Sequence, residues 1–235
     1  MLPVLNDIEG LSNNCFVLYL PKEIVSGDFY WFNSTDDKLF AVVGDCTGHG
    51  VPGALMSILG ISILEEIINY RKVTDSGLIL DELRNEVQRA LHQKGNRDET
   101  KDGMDISLCI IERTKNSIQY SGAYNNLYLI RSGELFEYPA DRMPIGIFDN
   151  EDSHFKRNDI DVIFGDIIYM FSDGYADQFG GPDHKKFKYS ALKTLLTEIH
   201  RLPFSQQKQK LEKEFNEWKG TNPQIDDVLI LGLKL

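Results

Sequence analysis

The sequence predicts an α+β layered domain in which antiparallel sheets are covered by helices. Three observations carry this reading: about ten short stretches rich in β-branched and aromatic residues, tight turn signals between several of them, and helical periodicity in two separate blocks.

Residues 16–20, 29–32 and 39–43 read as the first strands. A helix follows from about Pro52, whose fixed φ suits a first turn, to Tyr70. Its apolar residues Leu55, Met56, Leu59, Ile63, Leu64 and Ile67 recur at helical spacing. A second helix starts from a cap at Asp75 or Ser76 and places Ile79, Leu83, Val87, Ala90 and Leu91 on one face. Strands resume at 106–111, 118–121, 127–130 and 135–138, with Ser132-Gly133 as a hairpin turn, and continue at 160–164 and 167–171. Two late helices, near 190–200 and 205–219, present Leu192, Leu195, Leu196 and Ile199, then Leu211, Phe215 and Trp218, as apolar faces. A strand at 228–233 completes the set. Strands that follow one another through tight turns pair antiparallel.

The chain has 235 residues, no repeat and no Pro/Gly/Ser linker, so one domain spanning 1–235 is expected. Its net charge of −11 repels polyphosphate backbones, which argues against a nucleic-acid partner. The same field makes any anionic substrate depend on a local positive charge, such as a bound cation. Cys15, Cys46 and Cys109 form no CxxC pair and read as reduced thiols of a cytoplasmic protein. No apolar run of membrane-spanning length is evident, so no membrane contact is expected.

The informative feature is where certain aspartates fall. Asp28 follows Ser26-Gly27 and opens a strand; Asp45 ends one and precedes Cys46-Thr47-Gly48-His49-Gly50. Asp173 ends another before Gly174, and Asp226 and Asp227 precede the last. Any one Asp-Gly pair is an ordinary turn. Together they put carboxylates at sheet ends, where a cluster needs a cation to stay ionised. Oxygen-only ligands of this kind suit hard Mg²⁺ or Mn²⁺.

Segments 25–31, 44–54, 172–181 and 226–228 resemble, in order, the motifs of PPM-type (protein phosphatase 2C-like) serine/threonine phosphatases, in the bacterial branch of stage II sporulation protein E. Residues 102–107 and 120–126 look like that family's middle motifs. The resemblance implies an α/β/β/α sandwich of two antiparallel sheets flanked by helix pairs, with two Mn²⁺ or Mg²⁺ ions at one end. It implies that Asp45 bridges the ions, that Asp28 binds one, and that the backbone carbonyl of Cys46, Asp173 and Asp226 complete the set, with Asp227 the adjacent candidate. The activity implied is hydrolysis of phosphoserine or phosphothreonine by a metal-activated water, with no covalent phosphoenzyme. The implied substrate is a phosphorylated regulatory protein, such as an anti-sigma factor antagonist. A sensor domain upstream and a homodimer are further arrangements that the resemblance leaves open.

His49 is a candidate general acid, against a structural role, because Cys46 and Thr47 separate Asp45 from Gly-His-Gly. Asp102 and Asp105 are candidates for a third, weaker metal, against a surface loop and a strand start. Lys185, Lys186 and Lys188 frame a substrate surface or form a solvated turn. Two competing readings stand beside the phosphatase: a pseudophosphatase acting as a metal-dependent binding module, and another two-metal hydrolase such as a nuclease. Finally, the 45–50 loop runs straight into the first helix, so a shift of that helix on a buried face of Leu55, Met56, Leu59, Ile63 and Ile67 would move Asp45 and the Cys46 carbonyl together.

Overall fold

Successive residues along the central strands belong to different cores. In β3 (Lys38–Cys46), Leu39, Ala41 and Val43 face one apolar cluster while Phe40 and Val42 face another. In β9 (Ile167–Phe171), Ile168 and Met170 join that first cluster, and Ile167, Tyr169 and Phe171 join a third. Strands buried on both faces require two sheets with a further layer on each outer side.

That arrangement is the one found in a computed structural model, which describes residues 14–35, 37–93, 101–148 and 153–235. Residues 1–13 of the expected domain lie outside the described residues. The remaining strands are β1 (Cys15–Leu20), β2 (Phe29–Ser34), β4 (Met104–Glu112), β5 (Ser117–Ala123), β6 (Leu127–Arg131), β7 (Glu134–Tyr138), β8 (Asn158–Asp161), β10 (Phe179–Gly180), β11 (Lys185–Lys186) and β12 (Val228–Lys234). Among the described residues, one five-stranded sheet runs β1-β12-β9-β6-β7 and another β2-β3-β4-β5-β8, with every pairing antiparallel. Helices α1 (Gly50–Glu65) and α2 (Ser76–Ala90) cover the second sheet. Helices α4 (Tyr189–Ile199) and α5 (Phe204–Lys219) cover the first, and α3 (Gly174–Asp177) is a single turn after β9. The fold is thus the expected α/β/β/α sandwich.

Local chemistry explains the boundaries. Asp75 caps α2 by accepting the N–H of Leu78 at 3.0 Å. Ser132 (φ 53°) and Gly133 (φ 89°) form the β6–β7 hairpin with two positive φ values, the geometry that matches strand twist. Leu211 and Phe215 are buried, and Trp218 covers Gly180 and Gly181 while its Nε1 donates to the Gln178 carbonyl at 3.0 Å.

Four expectations need correction. The strand expected at 160–164 stops at Asp161, because Gly165 (φ 97°) and Asp166, which accepts from Ile163 N–H at 3.0 Å and pairs with Arg131, turn the chain out. Ile163 and Phe164 are consequently exposed. The first helix is α-helical only to Glu65 and ends in a π-helical turn over Glu66–Tyr70, where Arg71 bonds Glu66, Glu82 and Glu86 and ties this end to α2. Gly50–Tyr70 is also 21 residues of apolar composition, long enough to cross a membrane by length and content. One side of it, through Met56, Ile63, Leu64 and Ile67, packs into the α1–α2 core. Leu55, expected on that buried side, is 63% exposed.

Candidate active site

Strand register brings the motif aspartates to one end of the sandwich. Phe29 pairs with Gly44, so Asp28 enters β2 beside the end of β3, and Asp45 lies opposite Asp105 across β3 and β4. In the other sheet Ile230 pairs with Phe171, which sets Asp173 beyond β9 next to Asp226 and Asp227 before β12. Asp45, Asp105, Asp173 and Asp226 line one cavity of about 240 Å³, with His49 and Lys101 also in its wall. Asp28, only 3% exposed, and Asp227, 2% exposed, lie beneath it.

Glycines permit this convergence. A Cβ on Gly53 would stand 2.3 Å from the Gly48 carbonyl oxygen and 2.8 Å from the Gly27 Cα, so three glycine backbones meet under the 45–50 loop. A Cβ on Gly174 would stand 1.9 Å from the Asp227 carbonyl, which lets α3 start against the entry to β12. Thr47 fixes the loop from the other side: its N–H donates to the Gly103 carbonyl at 2.9 Å, and its hydroxyl accepts from Gly103 N–H at 3.1 Å.

Hydrogen bonds sort the carboxylates into two kinds. Asp227 accepts from Lys22 N–H at 2.7 Å and Gly27 N–H at 2.8 Å, one on each oxygen, and so braces the β1–β2 loop that presents Asp28. Asp28 accepts from the Ser172 hydroxyl at 2.5 Å. Gln178 is fully buried and bonds the Phe179 and Pro223 carbonyls and Ile225 N–H, holding the segment that leads to Asp226. Asp45 is reached by a hydrogen bond from the Asp173 backbone.

The electrostatics are those of crowded acids. Burial, then the charge of Asp45, pushes the Asp28 carboxyl well above the usual range. Asp45 is pushed well up by burial and by Asp173, Asp105 and Asp226. Burial and Asp173 raise Asp105 to about 7, and burial and Asp226 raise Asp173 to about 6. Among the described residues no group of three or more Asp, Glu, His or Cys side chains is arranged closely enough to hold an ion. The donor set is nonetheless all oxygen, buried and short of cations, which fits a hard divalent ion rather than zinc.

The other expected site residues divide. The Cys46 thiol is buried in the α1–α2 core and burial holds it well above its ordinary pKa, so only its backbone oxygen is suited to a ligand role. Asp105 joins the cavity; Asp102 is not among its lining residues. His49 lines the cavity as the N-cap of α1, and its Nδ1 lies 2.5 Å from Glu23 Oε1. Lys186 pairs with Asp177 at 2.7 Å and Lys185 with Asp183 at 3.0 Å, so both lysines are engaged locally. Sequence reasoning assigned nothing to Ser172, Thr47, Lys101 or Glu23. Ser172 stands inside the motif that carries Asp173, but Glu23 lies 26 residues from His49 and carries no sequence signal.

The family model for Stage II sporulation protein E (SpoIIE) matches residues 35–235. The chain belongs to this family. Among solved structures similar to this SpoIIE-family chain is the SiaA-PP2C domain of Pseudomonas aeruginosa, at 29% identity and a TM-score of 0.86, over 96% of this chain and 87% of that one. The PP2C phosphatase domain of SpoIIE from Bacillus subtilis, with a fragment of its regulatory domain, matches at 18% identity and a TM-score of 0.74, over 94% of this chain and 63% of that one. RsbX in complex with magnesium matches at 17% identity and a TM-score of 0.61, over 94% of each chain. The last two share the fold. No curated protein matches the sequence.

Proposed function

We propose that this SpoIIE-family chain is a metal-dependent phosphoserine/phosphothreonine protein phosphatase, acting in bacterial signalling on a phosphorylated regulatory protein in the cytoplasm. One observation carries the reading: carboxylates from both sheets converge on one cavity in a chain of this family, and Asp45, Asp105 and Asp173 among them are raised by burial and by their neighbours. Asp28, Asp45, Asp173, Asp226 and the Cys46 carbonyl would hold two Mn²⁺ or Mg²⁺ ions, with Asp105 beside them for a weaker third. Bound there, the ions supply an acidified water and neutralise charge on the phosphoryl oxygens.

The rest falls to the protein. Asp227 and Ser172 hold the Asp28 end rigid, and Thr47 and the glycine contacts hold the 45–50 loop. Lys101 is the lysine in the cavity wall and would attract the phosphate dianion into an otherwise acidic mouth. His49, held by Glu23, would hand a proton to the departing serine or threonine oxygen if it acts as the general acid rather than in a structural role. Hydrolysis of a phosphoserine peptide with Mn²⁺, and its loss on chelation, is the test. Tight Mn²⁺ binding without turnover would instead support the pseudophosphatase reading.

A further inference from the structure

A second cavity, a groove of about 460 Å³, lies at the opposite end of the sandwich from the aspartates. Ile167 in its wall opens β9, which ends before Asp173, and Lys234 closes β12, which begins after Asp227. The length of β12 puts the two ends roughly 20 Å apart. Hydrogen bonds fix both walls. On one side the buried Gln207 donates to the His200 carbonyl at 3.1 Å and the Leu202 carbonyl at 2.9 Å, and accepts from the Tyr169 hydroxyl at 2.8 Å. On the other, Gly165 N–H donates to the Leu235 carbonyl at 3.0 Å and Leu235 N–H to the Asp166 carbonyl at 2.8 Å. The groove so held is apolar and basic. Among the described residues Ile167, Leu202, Pro203 and Phe204 line it together with Arg201 and Lys234, and no aspartate or glutamate does. Neither of these two cations has an acidic partner among the described residues. Arg201 is exposed, and Lys234 Nζ stands 5.6 Å from the centre of the Phe164 ring, itself 94% exposed. In a chain of net charge −11, unpaired cations beside apolar side chains suit a ligand that is both acidic and apolar.

We propose that this groove is the docking site of the chain's own residues 1–13, with Asp7 and Glu9 meeting Lys234 and Arg201 and with Ile8 on the apolar wall. Two observations choose this occupant. Asn14 lines the groove and its carbonyl accepts the Lys234 N–H at 2.8 Å, so residues 1–13 join the fold at the groove itself. Their sequence also carries the matching chemistry: Leu2, Val4, Leu5, Ile8 and Leu11 are apolar, Asp7 and Glu9 are acidic, and there is no Lys or Arg. At up to about 3.4 Å per residue, Asp7 and Glu9 are both within reach of Lys234 and Arg201 from Asn14. Attachment beside the groove supplies an effective concentration on the order of millimolar, so ion pairs that are individually weak are enough to hold the segment. Nothing in this docking depends on the phosphatase chemistry.

The test is zero-length carbodiimide cross-linking of the full chain, mapped by mass spectrometry, with amide hydrogen exchange read on the same samples. The wild type should couple the carboxyl of Asp7 or Glu9 to the Lys234 amine. Amides of residues 4–11 should exchange about tenfold more slowly than in an Arg201→Glu/Lys234→Glu variant, whose changes are both at exposed positions. Ile8→Ser should lower the yield of the link about severalfold with every charge in place, which charge attraction alone does not predict. Asp7→Lys/Glu9→Lys should abolish link and protection, and combining it with Arg201→Glu/Lys234→Glu should restore both between the same positions. An equal mixture of isotopically light and heavy protein identifies the source of the segment. Links carrying one label support docking within a chain, whereas links of mixed label would overturn it in favour of a second copy. Absence of any link from positions 7 or 9 to position 234, with exchange that no variant alters, would overturn the docking and leave the groove to another protein.

Discussion

The Ser172 hydroxyl donates to Asp28 Oδ2 at 2.5 Å and accepts from Leu229 N–H at 3.0 Å, so one small side chain joins the two sheets directly beneath the acidic cavity. Ser172→Ala leaves a buried carboxyl and a buried N–H without that partner. It should cost about 1–3 kcal/mol of stability, read as a lower urea midpoint at unchanged m. It should also weaken Mn²⁺ binding, since Asp28 loses the contact that favours its ionised form. A variant as stable as the wild type, with the same Mn²⁺ affinity, would remove Ser172 from the account.

Asp45→Asn and Asp173→Asn should each lower turnover by about a hundredfold or more at saturating metal. The metal-free variants should melt no lower than the wild type, because each removes one of several mutually repelling charges. His49→Ala should cost much less than either. A His49 loss equal to that of Asp45→Asn would make proton delivery, rather than metal holding, the dominant contribution.

Stability of the chelated protein should fall as pH rises. Asp173 is pushed up to about 6 and Asp105 to about 7 in the fold, whereas an unfolded aspartate ionises near ~3.9. Folded values above unfolded ones mean that the fold binds protons more tightly. Its advantage is therefore complete below about pH 4 and is lost as pH climbs through 6 and 7. Thermal melts in EDTA from pH 5 to 8 should show a decline that saturating Mn²⁺ reverses. A melting point that rises over this range without metal would contradict the crowding of carboxylates described above.

Two neighbouring glycines should respond differently to alanine. Gly53→Ala drives a Cβ to within 2.3 Å of the Gly48 carbonyl, a backbone atom that can yield only by moving the 45–50 loop. Loss of activity together with about 2 kcal/mol or more of stability is expected. Gly48→Ala meets nothing within 4 Å but must adopt a φ of 85°, so about 1 kcal/mol and a milder loss are expected. Equal effects would mean that the close approach at Gly53 is not a constraint.

The α1 surface offers a control on how the site couples to the helix. Leu55→Ala, at an exposed position, should change stability by less than about 0.5 kcal/mol, and Leu64→Ala, fully buried, should cost about 2–5 kcal/mol. Large losses at Leu55 would place that side chain in a contact outside the described fold.

Much of the fold was legible because its signals are local. The alternation in β3 and the turn residues Ser132 and Gly133 lie within a few positions of one another. The motif aspartates were legible because each stands at a strand end, mostly beside a glycine. Depth was not legible: Asp28 and Asp227 lie below the cavity and Asp45 and Asp105 on it, a difference set by register across sheets. Leu55 was misread because α1 carries apolar residues on nearly every side, so periodicity cannot choose its buried face. The end of β8 was misread because the apolar run continues past the point where Asp166, paired with Arg131, folds the chain back.

The central claim is that these carboxylates hold divalent ions that hydrolyse a phosphate ester. The most direct measurement follows release of inorganic phosphate from a phosphoserine peptide by metal-stripped enzyme as Mn²⁺ is titrated in, with Asp173→Asn in parallel. Turnover should be absent in EDTA, rise saturably with Mn²⁺ or Mg²⁺, resist okadaic-acid-type inhibitors and be almost abolished in the variant. Full turnover by the metal-stripped wild type, or an Asp173→Asn enzyme as active as wild type at saturating Mn²⁺, would contradict the account.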